Sequence, residues 1–178
     1  REYLNVSRDT SATAEWRNPG SLFENPWFKP LRFGLYGEDG KAISGPLERK
    51  DKVWVEIEGI VEVPDPALEV GYALYEENGT LLWYSYQTDQ MGGDGELPTL
   101  RGRVILRVPI RVDVLNIGTY QLKLFSSLFR REMVVDSAQD PILFFSLSGR
   151  LFPSPYSPER RWGLLAFGDR WKLTGQLL

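Results

Sequence analysis

The sequence contains neither cysteine nor histidine. Without cysteine the chain can form no disulfide framework and no thiolate metal site. Without histidine it lacks the commonest general base and the commonest imidazole metal ligand. Serine–histidine and cysteine–histidine catalysis are therefore excluded, and we expect a protein that is not an enzyme, with no cofactor and no bound metal.

The sequence also lacks long apolar runs and clusters of like charge. No stretch approaches the roughly 18 apolar residues of a membrane-spanning helix, and no signal peptide is visible. The net charge of −3, with 25% charged residues, is typical of a soluble surface and argues against a nucleic-acid partner. From the start at Arg1 we expect a piece of a longer protein.

Phosphate-binding motifs are absent as well. Neither GxxxxGK[ST] nor GxGxxG occurs, and the glycine-rich residues 92–95 have no lysine and no following helix. That segment is interpreted as a plain loop. A Ca²⁺ site built from Asp94, or from Asp136 and Asp140, has no support from the spacing of these residues.

Acid pairs leave one catalytic alternative, because a glycosidase needs only two carboxyl groups. The candidate pairs are Glu56 with Glu58 and Glu76 with Glu77. Glu56 and Glu58 lie two residues apart, which is also the pattern of any solvated strand face. A cryptic hydrolase therefore stays a third hypothesis. The two hypotheses ahead of it, which follow below, depend on aromatic residues in the predicted strands.

Short segments with a period of two dominate the chain. Val53, Val55 and Ile57, for example, alternate with more polar neighbours, as in a half-buried strand. The predicted strands cover residues 31–36, 53–58, 69–76, 80–88, 103–110, 119–126, 142–148 and 162–173. No stretch has a clean helical period, so the pattern predicts an all-β sandwich. Residues 1–30 are expected to form an irregular arm pinned by Trp16 and Trp27, and residues 31–178 the sandwich.

Turn residues join these strands. Asn78-Gly79 between two apolar runs predicts a β-hairpin, because both residues tolerate a positive φ. Tyr120 opens a strand just after Gly118, which is the position of the tyrosine corner in Greek-key sandwiches. The hairpin is predicted to be the centre of the fold, with an aromatic return strand.

The return strand at 80–88 bears rings on either face. One alternate set is Leu82, Tyr84 and Tyr86, the other includes Trp83, and the sequence does not decide which set faces outward. Aromatic faces beside amides suit sugars, but Tyr and Trp are also enriched at subunit interfaces. The predicted carbohydrate-binding residues are Trp83, Tyr84, Tyr86, Gln121, Phe125 and Trp54.

Several ordered motifs resemble a known family, the C-terminal carbohydrate-binding domain of the Wzt-type ATP-binding subunit of O-antigen polysaccharide ABC transporters. The similarity extends over about residues 12–173. The matching motifs are Ala14-Glu15-Trp16 with Pro19-Gly20, residues 32–40, residues 70–74 with Glu77-Asn78-Gly79, residues 82–88, residues 118–122 and residues 163–171.

The resemblance implies an Ig-like antiparallel β-sandwich that binds O-antigen polysaccharide in the cytoplasm before export. It implies a homodimer formed by exchange of the last strand, with an ATPase domain and a membrane subunit as further partners. It also implies a location at the inner face of the inner membrane. The competing hypothesis is a structural dimerisation domain whose rings form a subunit interface.

Overall fold

The computed structural model describes residues 14–89, 98–135, 141–152 and 160–168. Within these ranges the chain forms nine strands and one short 3₁₀-helix at Val112–Val114. The strands are β1 (Glu15–Arg17), β2 (Lys29–Gly37), β3 (Val53–Val61), β4 (Leu68–Glu76), β5 (Leu81–Tyr86), β6 (Gly102–Ile110), β7 (Gly118–Leu128), β8 (Glu132–Val135) and β9 (Ile142–Leu147). No helix within the described part of the chain is long and apolar enough to cross a membrane.

The strands form two antiparallel sheets that pack as a sandwich. The first sheet has the order β1-β2-β3-β6. The second has the order β5-β4-β7-β8, and β9 also pairs with β7. The predicted all-β sandwich is confirmed.

Alternate side chains of both sheets fill the core. Leu35 and Val55 of the first sheet and Leu74 and Leu122 of the second have no exposed surface. Because successive side chains of a strand point to opposite faces, the intervening residues make up the two outer faces. The position of a functional side chain therefore follows from the register of its strand.

A tyrosine corner secures the start of β7, as predicted. The Tyr120 hydroxyl donates a hydrogen bond to the carbonyl oxygen of Asn116 at 2.7 Å. Burial of this ring raises the pKa of Tyr120 to about 12. The hydroxyl therefore stays protonated and remains a donor at neutral pH.

Residues 162–168 correct the prediction of a strand at 162–173. Their backbone pairing is an isolated bridge between Leu165 and Leu115, which lies just after the 3₁₀-helix and outside the strands. The side-chain amide of buried Asn116 donates to the carbonyls of Arg161 and Gly163, at 2.7 and 2.9 Å. The Asn116 side chain thus satisfies backbone carbonyls that, in a strand, would accept hydrogen bonds from a neighbouring strand. Residues 169–173 lie outside the described residues.

The N-terminal segment is more regular than predicted. Within residues 1–30, expected to be irregular, Glu15–Arg17 pairs with β2 in the register Trp16 to Phe33. Trp16 and Trp27 pack against the core, as their role as anchors requires. Three residues are too few to display a period, which is why the sequence did not indicate β1. The domain boundary at residue 30 stays a prediction.

Several further predictions lie outside the described residues. They concern the glycine-rich loop at 92–95 and the calcium ligands Asp94, Asp136 and Asp140. Among the residues that the structure does describe, no group of three or more acids, histidines or cysteines is placed to hold a metal ion.

Candidate functional site

The hairpin of β4 and β5 positions the predicted aromatic residues. Gly79 has a φ of 88°, a left-handed conformation that glycine adopts without steric cost. The Glu76 amide donates to the Thr80 carbonyl at 2.9 Å, and the Thr80 amide donates to Oδ1 of Asn78 at 2.8 Å. The Asn-Gly turn predicted from the sequence is therefore confirmed.

A register shift near this turn decides which rings face outward. Leu74 lies opposite Trp83, but the next residue, Tyr75, lies opposite Leu81, so Leu82 is an extra residue in β5. Such a bulge changes the alternation of side chains along the strand. Beyond it, Trp83 packs against the core, whereas Tyr84 is 41% exposed.

The outer face of the second sheet, here called the aromatic face, contains a cluster of three rings. The ring cluster consists of Tyr84 and Tyr86 from β5 and Phe125 from β7. The two tyrosine rings are stacked with centroids 5.8 Å apart and planes 5° from parallel. Phe125 meets both edge-on, at 5.7 Å from Tyr84 and 5.4 Å from Tyr86. These are favourable aromatic geometries, so the cluster holds its own shape.

Glycine in β4 makes this arrangement possible. Gly71 lies between Tyr86 and Phe125, its partners on the two neighbouring strands. A Cβ atom at this position would be 1.9 Å from the carbonyl oxygen of Ser85. The backbones of β4 and β5 thus approach too closely for any side chain at position 71. The rings of Tyr86 and Phe125 lie on either side of Gly71.

Polar groups surround the ring cluster. Gln121 precedes Phe125 on the same face of β7, and its Nε2 donates to the Glu77 carbonyl at 3.3 Å. Lys123 lies between Gln121 and Phe125, with its Nζ 5.0 Å from the centroid of the Tyr75 ring. The aromatic face therefore offers an amide and an ammonium group beside apolar rings.

Two carboxylates, of Glu69 and Asp89, lie on the side of the ring cluster away from Gln121. Glu69 accepts a hydrogen bond from the Ser127 hydroxyl at 3.2 Å, and Asp89 accepts one from the Tyr86 amide at 2.7 Å. Burial raises the pKa of Tyr86, and the negative charges of Glu69 and Asp89 add to this rise. The tyrosine hydroxyl therefore remains protonated and able to donate at neutral pH.

The six predicted site residues fall in three places. Tyr84, Tyr86, Phe125 and Gln121 share the aromatic face. Trp83 lies on the inner side of β5, where its Nε1 donates to the hydroxyl of Tyr72 at 3.4 Å, so it cannot belong to a continuous surface with the other rings.

Trp54 lies on the opposite sheet. It belongs to the outer face of the first sheet, here called the charged face, and its ring lies 4.8 Å below the guanidinium of Arg107. The sandwich separates it from the ring cluster, so one saccharide unit cannot contact both.

Sequence reasoning did not select three residues of the aromatic face, which are Tyr75, Lys123 and Phe144. The register places Tyr75 opposite Gln121, and Gln121 opposite Phe144. Phe144 is 44% exposed. The alternation of β7 places Lys123 on the same face as Gln121 and Phe125, but the contributions of β4 and β9 depend on pairing that a single strand does not reveal.

The acid pair considered for hydrolysis is engaged in ion pairs on the charged face. Arg32 lies 2.5 Å from Glu56 and 3.0 Å from Glu58. A hydrogen bond from Arg103, and a second from Arg32, hold the pKa of Glu58 below its ordinary value despite burial. A general acid needs a raised pKa, so this environment is opposite to the one that hydrolysis requires.

In the other acid pair, Glu76 with Glu77, Glu76 also forms an ion pair. Glu76 is 6% exposed and forms an ion pair with Arg160. This contact ties the segment at 160–168 to β4. Glu76 is thus held as a structural carboxylate next to the hairpin.

A cleft of about 300 Å³ opens between the two sheets beside β5 and β6. Apolar side chains from three strands line it, among them Val55, Val70 and Val108. Tyr86 and Gln87 also contribute to its lining. Tyr86 thereby connects the cleft with the ring cluster.

These features define a class of protein, an antiparallel β-sandwich with aromatic rings on one outer face and ion pairs on the other. No protein-family model and no curated protein sequence matches the chain. Among solved structures it is similar to the crystal structure of the C-terminal domain of Wzt, with 13% sequence identity and a TM-score of 0.59. The match covers 91% of this chain and 89% of that chain. The likeness confirms the expected sandwich fold.

Proposed function

We propose that this chain is a carbohydrate-binding domain without catalytic activity, which recognises O-antigen polysaccharide for export by an ABC transporter. The observation that carries the proposal is the ring cluster with Gln121 beside it on one outer face. The fold likeness to the C-terminal domain of Wzt and the ordered sequence motifs support the same assignment.

The chemistry of the aromatic face suits a sugar. A pyranose ring presents apolar C–H groups that pack on an aromatic face and hydroxyl groups that need hydrogen-bond partners. The exposed part of Tyr84 supplies the apolar surface, and the Tyr86 hydroxyl and Gln121 supply donors. Aromatic contacts of this kind contribute about 1 kcal/mol beyond the area that they bury.

In this proposal the domain acts beside an ATP-binding domain and a membrane subunit, in the cytoplasm at the inner membrane. In the same setting it forms a homodimer. Co-purification of the full-length protein with its membrane subunit tests this setting. Recovery of the full-length protein without the membrane subunit would contradict it.

Binding is tested with an array of purified bacterial polysaccharides and the variants Tyr84→Ala and Tyr86→Ala. Each variant is expected to weaken glycan binding roughly five- to tenfold, the loss of one stacking contact. Trp54→Ala is the matched control, since it removes a ring of the charged face, and its affinity is expected to equal that of the wild type.

Circular dichroism verifies that all three variants remain folded. Unchanged affinity in both tyrosine variants would overturn the site. A loss confined to Trp54→Ala would move the site to the charged face.

A second candidate function is dimerisation through the aromatic face. The observation that favours it is the exposure of Ile142 and Phe144, at 37% and 44%, next to the ring cluster. Sedimentation of the Phe125→Asp variant separates the two functions. Loss of a dimer with glycan affinity retained would favour the interface.

A further inference from the structure

Lys123 occupies the middle of the aromatic face. Along β7 it lies between Gln121 and Phe125, and across the sheet its partner on β4 is Ala73, which in turn pairs with Tyr84. Ala73 is 3% exposed although it belongs to the outer face. A ligand that packs on Tyr84 and hydrogen-bonds to Gln121 therefore lies within reach of the Lys123 ammonium group.

No carboxylate among the described residues lies within ion-pair distance of Lys123. Its Nζ lies over the ring of Tyr75, 5.0 Å from the centroid. Cations of the charged face are paired instead, as Arg32 is with Glu56 and Glu58. Within the described part of the chain, the ammonium group of Lys123 thus contacts an aromatic ring but forms no ion pair with a carboxylate.

Glu69, a carboxylate of this face, lies at a distance from Lys123. Glu69 is four residues from Ala73 along β4, and the row formed by Tyr86, Gly71 and Phe125 separates the two positions. Burial raises the pKa of Tyr86, and the negative charges of Glu69 and Asp89 raise it further. The ammonium group of Lys123 and the carboxylates of Glu69 and Asp89 therefore lie on different sides of the row formed by Tyr86, Gly71 and Phe125.

We propose that Lys123 is a specificity-determining residue, which selects polysaccharides that carry an anionic group, a carboxylate or a phosphate, on the sugar next to the ring cluster. The inference rests on the proposed function. Its physical reason is that a bound glycan removes water from the ammonium group, and burial of an unpaired charge is costly. An anion on the ligand offsets this cost and forms a charge-assisted hydrogen bond.

The test uses an array of purified bacterial polysaccharides of known composition, acidic and neutral. The wild type is expected to prefer acidic polysaccharides. Lys123→Met keeps the apolar stem over Ala73 and removes the charge, and is expected to bind them about tenfold more weakly. Lys123→Arg should restore most of the binding, and Lys52→Met, at an exposed lysine paired with Glu38, should leave it unchanged.

Chemical treatment of the bound polysaccharides distinguishes the two sources of negative charge. Reduction of carboxyl groups abolishes the preference if uronic acids are recognised, and removal of phosphate abolishes it if phosphate is recognised. An increase of salt to 0.5 M is expected to reduce the preference, since salt screens a surface ion pair.

Failure of this inference differs from failure of the proposed function. If the wild type binds neutral polysaccharides as well as acidic ones, and Lys123→Met binds both normally, the charge selection is wrong while glycan recognition stands. If no polysaccharide is bound, or if Tyr84→Ala and Tyr86→Ala bind normally, the site itself is wrong and the selection with it.

Discussion

The two outer faces of the sandwich use their side chains in opposite ways. On the charged face, Arg32 bridges Glu56 and Glu58, and Arg103 completes the pairing of Glu58. On the aromatic face, the rings contact one another and Lys123 lies over a ring. The charged face satisfies its polar groups internally, whereas the aromatic face keeps apolar surface and donors available for a ligand.

This difference indicates which face serves stability and which serves binding. Exposed ion pairs contribute little to stability, but a half-buried network leaves unpaired charges when one member is removed. Glu58 is 6% exposed although it lies on an outer face. Substitutions of the paired side chains on the charged face should therefore change the free energy of unfolding, and substitutions of the ring side chains on the aromatic face should change affinity.

The largest expected effect concerns Gly71, where the aromatic face depends on close approach of two strands. In Gly71→Ala the new Cβ would meet the Ser85 carbonyl at 1.9 Å, so β5 must move away from β4. We expect a loss of about 3 kcal/mol in the free energy of unfolding, together with weaker glycan binding.

Gly34→Ala is the matched control on the charged face. Its Cβ would lie 2.7 Å from Cε2 of the Tyr36 side chain, which can shift more easily than a backbone carbonyl. Its cost is expected to be about 1 kcal/mol, with unchanged affinity. Urea denaturation measures the free energy of unfolding of the two variants, and glycan titration measures their affinity. Equal costs for the two variants would contradict the close approach at Gly71.

A smaller effect is expected from Arg32→Met, which breaks the network of the charged face. Glu56 and Glu58 lose a cation, and Tyr36 loses a hydrogen-bond partner at 2.7 Å. We expect a loss of about 2 kcal/mol in the free energy of unfolding, without a change in glycan affinity. Arg17→Met, at a side chain that is 69% exposed, should cost less than about 0.5 kcal/mol. Weakened glycan binding in Arg32→Met would show that the two faces are coupled.

The smallest effect is a dependence of stability on pH. Hydrogen bonds from Arg103 and Arg32 hold the pKa of Glu58 below its ordinary value in the folded state. A lowered folded pKa stabilises the protein above the unfolded value of about 4.3, and this contribution disappears as the pH falls through the folded pKa. Glu58→Gln should therefore be less stable than the wild type at pH 7, and the difference should shrink below pH 4.

Urea denaturation at both pH values measures this difference. Glu38→Gln, at an exposed carboxylate, is the control and should match the wild type at both. A difference between Glu58→Gln and the wild type that stays constant with pH would exclude the ion pairs of Glu58 as a source of acid sensitivity.

Much of the fold could be predicted because it depends on local chemistry. Period-two alternation identified β3 and β7, Asn78-Gly79 identified the hairpin, and Tyr120 identified the corner. The site was less accessible to such reasoning. Four of the six predicted residues share one face, but the inward position of Trp83 follows from the bulge at Leu82, which only pairing with β4 reveals.

The sequence by itself determined the class of fold and excluded histidine- and cysteine-based chemistry, because alternation, turn residues and composition act without long-range contacts. Tertiary structure alone decided which rings share a surface. Register assigned Tyr84 and Tyr86 to the outer face and Trp54 to the opposite sheet. It also brought Lys123 beside Tyr84 through Ala73, since pairing between strands far apart in the chain sets the neighbours of each outer side chain.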